Sequence, residues 1–162
     1  MRYRDEPLLE KICESFMTSK TVNVQTITNL LYILGKFQYS PNATQRAGEP
    51  NAFMQRCASI IKSEVTLSSE IACRNLWNFY AVNYYDPELF DIFGKVIVKN
   101  HEILSEIDVA NAFRAFAHFK HTGTPQAEAT LESLVRRSIR DLQSWRMQTI
   151  AQVSNSLAEL EV

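Results

Sequence analysis

Four of the five prolines in this chain recur at nearly even spacing, and each follows a side chain that carries an oxygen. They form the pairs Glu6-Pro7, Glu49-Pro50, Asp86-Pro87 and Thr124-Pro125, at intervals of 43, 37 and 38 residues. A side-chain oxygen just before a helix accepts hydrogen bonds from the first unpaired N–H groups, and proline in the first turn presets φ at no cost in hydrogen bonds. The spacing therefore predicts a helical unit that recurs about every 40 residues.

Between these prolines, apolar residues follow the three- and four-residue spacing of amphipathic helices. Residues 86–100, for example, place Leu89, Phe93 and Ile97 on one side of a helix. Polar residues 40–49 predict a loop. Across the chain, the pattern predicts eight helices over residues 7–19, 23–38, 50–64, 68–84, 87–100, 105–120, 125–141 and 145–160.

Equivalent positions of successive units hold residues of the same kind. In the first helix of each unit, one aligned apolar column contains Cys13, Cys57, Phe93 and Leu131. In the second helix, a column of small residues, where neighbouring helices can approach closely, contains Gly35, Ala81, Ala117 and Ala158. Pro50 stands one residue outside this alignment. The spacing of the core residues is therefore predicted to be kept in this unit, while the helix cap is shifted by one residue.

Units that cannot each bury an apolar side alone are expected to stack on one another. We therefore predict an all-α fold: an α-solenoid of about four antiparallel helical hairpins, with right-handed superhelical stacking. One domain is expected over residues 1–162, either alone or as a segment of a longer array, with units at about 5–39, 48–85, 86–122 and 123–162. The alternative is a chance set of eight amphipathic helices.

Composition narrows the classes of function. The net charge of −1 gives no overall attraction to nucleic acid or to an anionic membrane, so RNA binding would need a local surface. No apolar run approaches the roughly 20 residues of a membrane span. The charged start of the chain is unlike a signal or transit peptide.

The residue types of catalytic and metal sites are sparse. Cys13, Cys57 and Cys73 lack metal-ligand spacing and lie in predicted helices, so buried, reduced thiols are expected. The histidine pair His118 and His121 has no cysteine nearby, and we expect no metal and no cofactor. Phosphate-binding loops, GxSxG, HExxH and dinucleotide fingerprints are missing, so neither an enzyme nor a small-molecule substrate is predicted.

Three phrases from the second helices carry a family likeness: TITNLLYILGKFQY (26–39), ACRNLWNFYAVNYYD (72–86) and VANAFRAFAHFKHT (109–122). They resemble the degenerate helical repeats of organellar RNA-binding proteins, namely octotricopeptide-like repeats and the arrays that precede the RAP domain in FAST-kinase-like proteins. The resemblance implies a non-catalytic subunit of a mitochondrial (matrix) ribonucleoprotein, such as the mitoribosome or an RNA-processing complex. No RAP domain is recognisable here, so a protein-only scaffold or accessory subunit is the alternative. Expected partners are other protein subunits at the solenoid ends and, in the first case, RNA.

The second helices also carry polar residues spaced i, i+3 and i+7, which places them on one side. The candidate RNA-binding residues are Asn29, Tyr32 and Lys36; Asn75 and Asn78; Asn111, Arg114 and His118; and Gln152 and Asn155. Amides can hydrogen-bond base edges, Tyr and Arg can stack on bases, and Lys can contact phosphate. In the alternative interpretation, the aligned Asn residues bond neighbouring units or turns and contact no ligand. The stripe is not uniformly basic, because the positions equivalent to Lys36 and His118 are occupied in other units by Val82 and Glu159.

A second candidate phosphate site is the arginine cluster of Arg136, Arg137, Arg140 and Arg146. Acidic residues are interspersed with it, so an ion-paired, solvated helix side is the alternative. The aromatic residues Trp77, Phe79, Tyr80, Tyr84 and Tyr85 could form a stacking platform, but at helical spacing most are expected in the core. Tyr84 and Tyr85, at a helix end, are the pair expected to be exposed.

Overall fold

The computed structural model describes residues 5–41 and 51–161. Over these ranges the chain is all-helical and has no β-strand, which confirms the predicted fold class. The eight α-helices are α1 (Glu6–Thr18), α2 (Val24–Phe37), α3 (Ala52–Lys62), α4 (Ser69–Ala81), α5 (Pro87–Asn100), α6 (Glu106–His118), α7 (Pro125–Asp141) and α8 (Met147–Leu160). Two short 3-10 turns, His101–Ile103 and Leu142–Ser144, follow α5 and α7. The predicted loop at 40–49 lies almost entirely outside the described residues.

Side-chain caps set most helix starts. Asp86 and Thr124 accept hydrogen bonds at 3.0 Å from the backbone N–H groups of Leu89 and Ala127, and proline is the next residue after each cap. The prediction that Glu49-Pro50 begins a helix is wrong, because α3 begins at Ala52 and Asn51 is its cap. The short Asn51 side chain accepts from the N–H of Met54 at 3.1 Å, a geometry that Asn favours and Glu does not. Glu49 and Pro50 lie outside the described residues.

The helices form two layers. In one layer α2, α4, α6 and α8 contact one another in sequence, and in the other α1, α3, α5 and α7 do the same. Contacts of α4 with α5 and of α6 with α7 join the layers. This is the helical repeat-like architecture expected of stacked hairpins. The superhelical arrangement and its right-handedness stay predictions, because pairwise contacts fix the order of stacking only.

Aromatic and aliphatic side chains fill the space between the layers, with Phe79, Phe90, Phe93, Phe113 and Phe116 fully buried. The three cysteines are free and buried, as predicted. Burial raises the pKa of Cys57 to about 12, which keeps its thiol protonated and unreactive. In the described ranges, no helix combines the length and the apolar content needed to cross a membrane.

Small residues allow neighbouring helices of one layer to approach closely. A Cβ atom added to Gly35 of α2 would lie 2.7 Å from Cβ of Ala81 in α4. The predicted close approach at the small-residue column is therefore confirmed at this pair. In the other layer, a Cβ atom on Gly94 of α5 would overlap Oγ1 of Thr130 in α7.

Candidate functional site

Exposed side chains of α2, α4, α6 and α8 line three adjoining cavities, and we call this surface the even-helix face. The Trp77 cavity lies between α2, α4 and α6 and has a volume of about 540 Å³. Its walls are Asn29, Tyr32, Arg74, Trp77, Ile107, Asp108 and Asn111. Its size falls within the range of ligand pockets.

Two further cavities continue this surface toward α8. The Lys36 cavity, of about 590 Å³, is lined by Tyr32, Gly35, Lys36, Gln38, Trp77, Tyr80, Ala81, Asn83 and His118. The Arg114 cavity, of about 410 Å³, is lined by Tyr80, Arg114, His118, Gln148, Ala151, Gln152, Asn155, Ser156 and Glu159. Tyr32 and Trp77 border the first two cavities, and Tyr80 and His118 border the last two. Aromatic and imidazole rings therefore separate three hollows of one continuous surface.

Cations of the even-helix face lie beside these rings. Nζ of Lys36 is 5.5 Å from the ring centroid of Tyr32. The guanidinium carbon of Arg114 is 5.3 Å from the ring centroid of Tyr80, and its Nε donates a 3.1 Å hydrogen bond to the Tyr80 hydroxyl. Within residues 5–41 and 51–161, neither of these cations nor Arg74 has a carboxylate partner. Their charges are thus available to a ligand.

His118 links the Lys36 and Arg114 cavities. Its Nε2 lies 3.0 Å from Oδ1 of Asn83, and because an amide oxygen only accepts, Nε2–H is the donor. The His118 ring meets the Tyr80 ring edge-on, with 4.9 Å between the centroids. These contacts hold His118 in one orientation while the side chain stays exposed.

Most of the predicted stripe lies on the even-helix face. The residues that line its cavities are Asn29, Tyr32, Lys36, Asn111, Arg114, His118, Gln152 and Asn155. The i, i+3, i+7 spacing thus identified one surface correctly for these residues. Whether that surface contacts RNA stays a prediction.

Asn75 and Asn78 do not belong to this surface. Both side chains are 0% exposed, so the prediction that they meet a ligand is wrong. Asn75 Nδ2 donates to Thr28 Oγ1 at 3.0 Å, and Asn78 Nδ2 donates to the Thr28 carbonyl oxygen at 2.8 Å. The hydrogen bonds join α2 to α4, as in the alternative interpretation, in which aligned Asn residues bond neighbouring units and contact no ligand.

The arginine cluster on α7 is also engaged elsewhere. Arg137 is only 10% exposed, pairs with Asp141 and donates two hydrogen bonds to the Leu104 carbonyl oxygen, so it is wrong as a phosphate ligand. Arg136 pairs with Glu132 at 2.6 Å, and Arg140 pairs with Asp141 at 3.1 Å. No α7 residue lines the three cavities. This is the ion-paired helix side that the sequence left as the alternative, and Arg146 likewise pairs with Glu106.

Arg74 is a functional candidate that sequence analysis missed, and Trp77 and Tyr80 are two that it set aside. Trp77 and Tyr80 follow the apolar spacing of α4 and were expected in the core, yet both are half-buried and line the cavities. Tyr80 aligns with Leu34, Phe116 and Leu157 of the other units, of which the first two are fully buried and the third is half-buried. A tyrosine in a column of Leu and Phe was the signal that could have identified it.

A second polar cluster lies at the junction of α4 with α5. Tyr85 is 40% exposed, as predicted, whereas Tyr84 is half-buried against Phe79, so the prediction that it is exposed is wrong. The Tyr85 hydroxyl lies 2.8 Å from Nδ1 of the buried His121. Nε2 of His121 lies 3.1 Å from Oδ1 of Asp91, which also accepts from the Thr124 hydroxyl. A carboxylate only accepts, so Nε2–H donates to Asp91 and Nδ1 accepts from Tyr85. The cluster ties the start of α5 to the turn before α7.

Protonation of His121 is expected to destabilise the fold. Burial lowers the pKa of His121 below its ordinary value, although the hydrogen bond to Asp91 opposes this effect. The unfolded chain therefore binds the proton more readily than the folded one, and stability falls as pH drops through about 6.5. We expect a lower free energy of unfolding at pH 5.5 than at pH 7.5 in urea titrations, with a smaller difference in His121→Gln. An unchanged difference in His121→Gln would contradict the assignment.

The chain was also compared with known proteins. Its sequence matches no family model and no curated protein, and its structure matches no solved structure.

Proposed function

We propose that the chain binds single-stranded RNA along the even-helix face, as a non-catalytic helical-repeat subunit of a ribonucleoprotein assembly. Placement in the mitochondrial matrix, in a mitoribosome or an RNA-processing complex, is part of the proposal and rests on the resemblance of the repeats alone. The observation that carries RNA binding is the row of rings between three hollows, with unpaired cations beside them.

Single-stranded RNA needs the groups that this face offers. Exposed base faces stack on aromatic side chains, and phosphates are met by cations along a groove. Tyr32, Trp77 and Tyr80 supply rings, and the amides of Asn29 and Asn111 can bond base edges. An extended strand running from the Trp77 cavity to the Arg114 cavity would meet each group in turn.

Charge on the face sets the expected strength of binding. Lys36, Arg74 and Arg114 line the cavities together with two carboxylates, Asp108 and Glu159. For single strands, the logarithm of affinity falls with the logarithm of salt concentration at about −0.7 per neutralised phosphate, so three cations give a slope of about −2. Such binding is moderate and owes more to stacking than to charge.

Arg114→Ala tests the proposal. Affinity for a fluorescein-labelled 12-nucleotide RNA of mixed sequence is measured by anisotropy between 50 and 200 mM salt. Because one phosphate contact is lost, we expect weaker binding and a salt slope that is smaller by about 0.7. The loss of the cation beside Tyr80 should weaken binding further at every salt concentration.

Arg136→Ala provides the matched control. Arg136 is an exposed arginine of the other layer and pairs with Glu132, so its removal should leave affinity and salt slope unchanged. No binding by the unmodified chain would refute the proposal. Equal losses of affinity in the two variants would indicate that RNA is bound outside the even-helix face.

A protein-only scaffold or accessory subunit of a large mitochondrial complex is the second candidate function. Apolar side chains at the α1–α2 end favour it: Leu8 is 54% exposed, and Ile12 and Ile33 line a further cavity of about 430 Å³. Protein subunits at the ends of the array would cover such a surface. Association that is insensitive to salt, in a chain that binds no RNA, would support this function.

A further inference from the structure

We propose that the Trp77 cavity is a pocket for an adenine base, which rests on the proposed binding of single-stranded RNA. The pocket combines two neighbouring rings with the Asn111 amide and one Asp108 oxygen, which have no hydrogen-bond partner among the described residues. Its proposed ligand is one adenosine nucleotide within a longer strand.

The rings give the base a stacking surface. The Tyr32 and Trp77 ring centroids are 5.8 Å apart, with 40° between the ring planes. Trp77 is half-buried, which limits its motion, and Ile107 adds an exposed apolar wall. A purine offers the larger surface to stack here, and its neighbouring phosphate can reach Arg74.

Asn111 supplies an amide that the protein does not use. In the described residues its side chain has no hydrogen-bond partner, whereas the equivalent Asn75 is bonded to Thr28 and to the Ile71 carbonyl oxygen. Asn111 also lines the cavity, so its donor and acceptor both remain available to a base.

Asp108 supplies a second acceptor. Its Oδ2 accepts from the backbone N–H of Ser105 at 3.2 Å and from the Ser105 hydroxyl at 2.6 Å. Over the described residues no donor reaches Oδ1. The capping bonds therefore hold the carboxylate in place while one of its oxygens stays free.

This set of groups matches adenine. The two hydrogens of the N6 amino group can bond Oδ1 of Asn111 and Oδ1 of Asp108, while a ring nitrogen accepts from Nδ2 of Asn111. Guanine and uracil present a carbonyl oxygen where adenine has the amino group, and that oxygen would be repelled by the carboxylate. The exocyclic amino group therefore distinguishes adenine from guanine and uracil, and the larger stacking surface distinguishes it from cytosine, which carries an amino group at the same place.

The test compares labelled 12-nucleotide oligo(A) and oligo(U) by anisotropy. Oligo(A) should bind about tenfold more tightly or better. Asn111→Leu and the smaller Asn111→Ser should both weaken oligo(A) binding more than oligo(U) binding, so that the preference for oligo(A) falls to the part that Asp108 supplies. Gln152→Leu, at the equivalent position of the last unit, is the control that should keep the preference.

Fluorescence gives an independent measurement. The chain has two tryptophans, and Trp145→Phe leaves Trp77 as the sole reporter. Oligo(A) should quench it more strongly than oligo(U) at equal occupancy. Equal affinity for the two strands would overturn the adenine pocket while leaving RNA binding intact, whereas absence of binding to either strand would overturn both proposals.

Discussion

Replacing Phe90 with alanine is expected to lower the free energy of unfolding by about 3–5 kcal/mol, the cost of removing a fully buried phenylalanine. Phe90 is 0% exposed and lies at the centre of an aromatic cluster. Its ring centroid is within 6.5 Å of those of Tyr85, Phe93, Phe116, Phe119 and His121. Truncation would leave a cavity where the α4–α5 junction, α5, α6 and the turn before α7 meet.

Urea denaturation followed by far-UV circular dichroism measures this effect. Domains of this size are stable by about 5–15 kcal/mol, so the variant should lose a large share of its stability. The control is Ile103→Ala, at a side chain that is 67% exposed, which should change stability by no more than about 0.5 kcal/mol. A loss below about 1 kcal/mol for Phe90→Ala would show that the cluster does not pack as described.

Valine at Gly94 is expected to cost about 2–3 kcal/mol, because α5 and α7 touch at this position. A Cβ atom there overlaps Oγ1 of Thr130, which is buried and held by a 2.7 Å hydrogen bond to the Gln126 carbonyl oxygen. Thr130 therefore cannot turn away, and overpacking forces the helices apart. The measurement is again urea denaturation.

A double-mutant cycle separates this clash from the other effects of the substitution. Thr130→Ala removes the obstructing hydroxyl, so the double variant should recover at least about 1 kcal/mol relative to the sum of the single changes. Lys95→Val, on the exposed side of the same helix, introduces valine at an exposed position and should cost only about 0.5 kcal/mol. Strict additivity would mean that Gly94 and Thr130 are not in contact.

Helix number, order and boundaries were predictable because they depend on local chemistry. Asp86 and Thr124, which cap α5 and α7, directly precede the prolines that identify them in the sequence. The apolar spacing predicted both ends of each helix to within three residues of the observed ends. The rule misled at α1 and at α3, where Asp5 caps the helix in place of Glu6 and Asn51 prevails over Glu49-Pro50, because two cap signals stand next to each other at both sites. Local sequence thus predicted the helices, but not which of two neighbouring residues caps a helix.

The candidate site was predictable only in part, because the spacing of residues identifies a helix side without showing what covers it. Lys36 and Arg114 are exposed, whereas Asn75, in the same stripe, is enclosed by the neighbouring α2. Trp77 fits an apolar column equally well whether it is buried or at the rim of a cavity. How closely the next unit approaches decides between these outcomes, and that depends on contacts distant in sequence.

The hydrogen bonds from Asn75 and Asn78 to Thr28 have a further consequence for assembly. Units that resemble one another can stack out of step, since sliding one helix by a turn, about 5.4 Å, still brings apolar side chains together. Here such a slip would move the Thr28 hydroxyl away from the Asn75 amide, which would keep only its bond to the Ile71 carbonyl oxygen of its own helix. A lost hydrogen bond costs about 0.5–1.5 kcal/mol, so the polar contact makes one alignment of α2 and α4 the preferred one. A small buried network thereby supplies the specificity that the shared apolar pattern lacks.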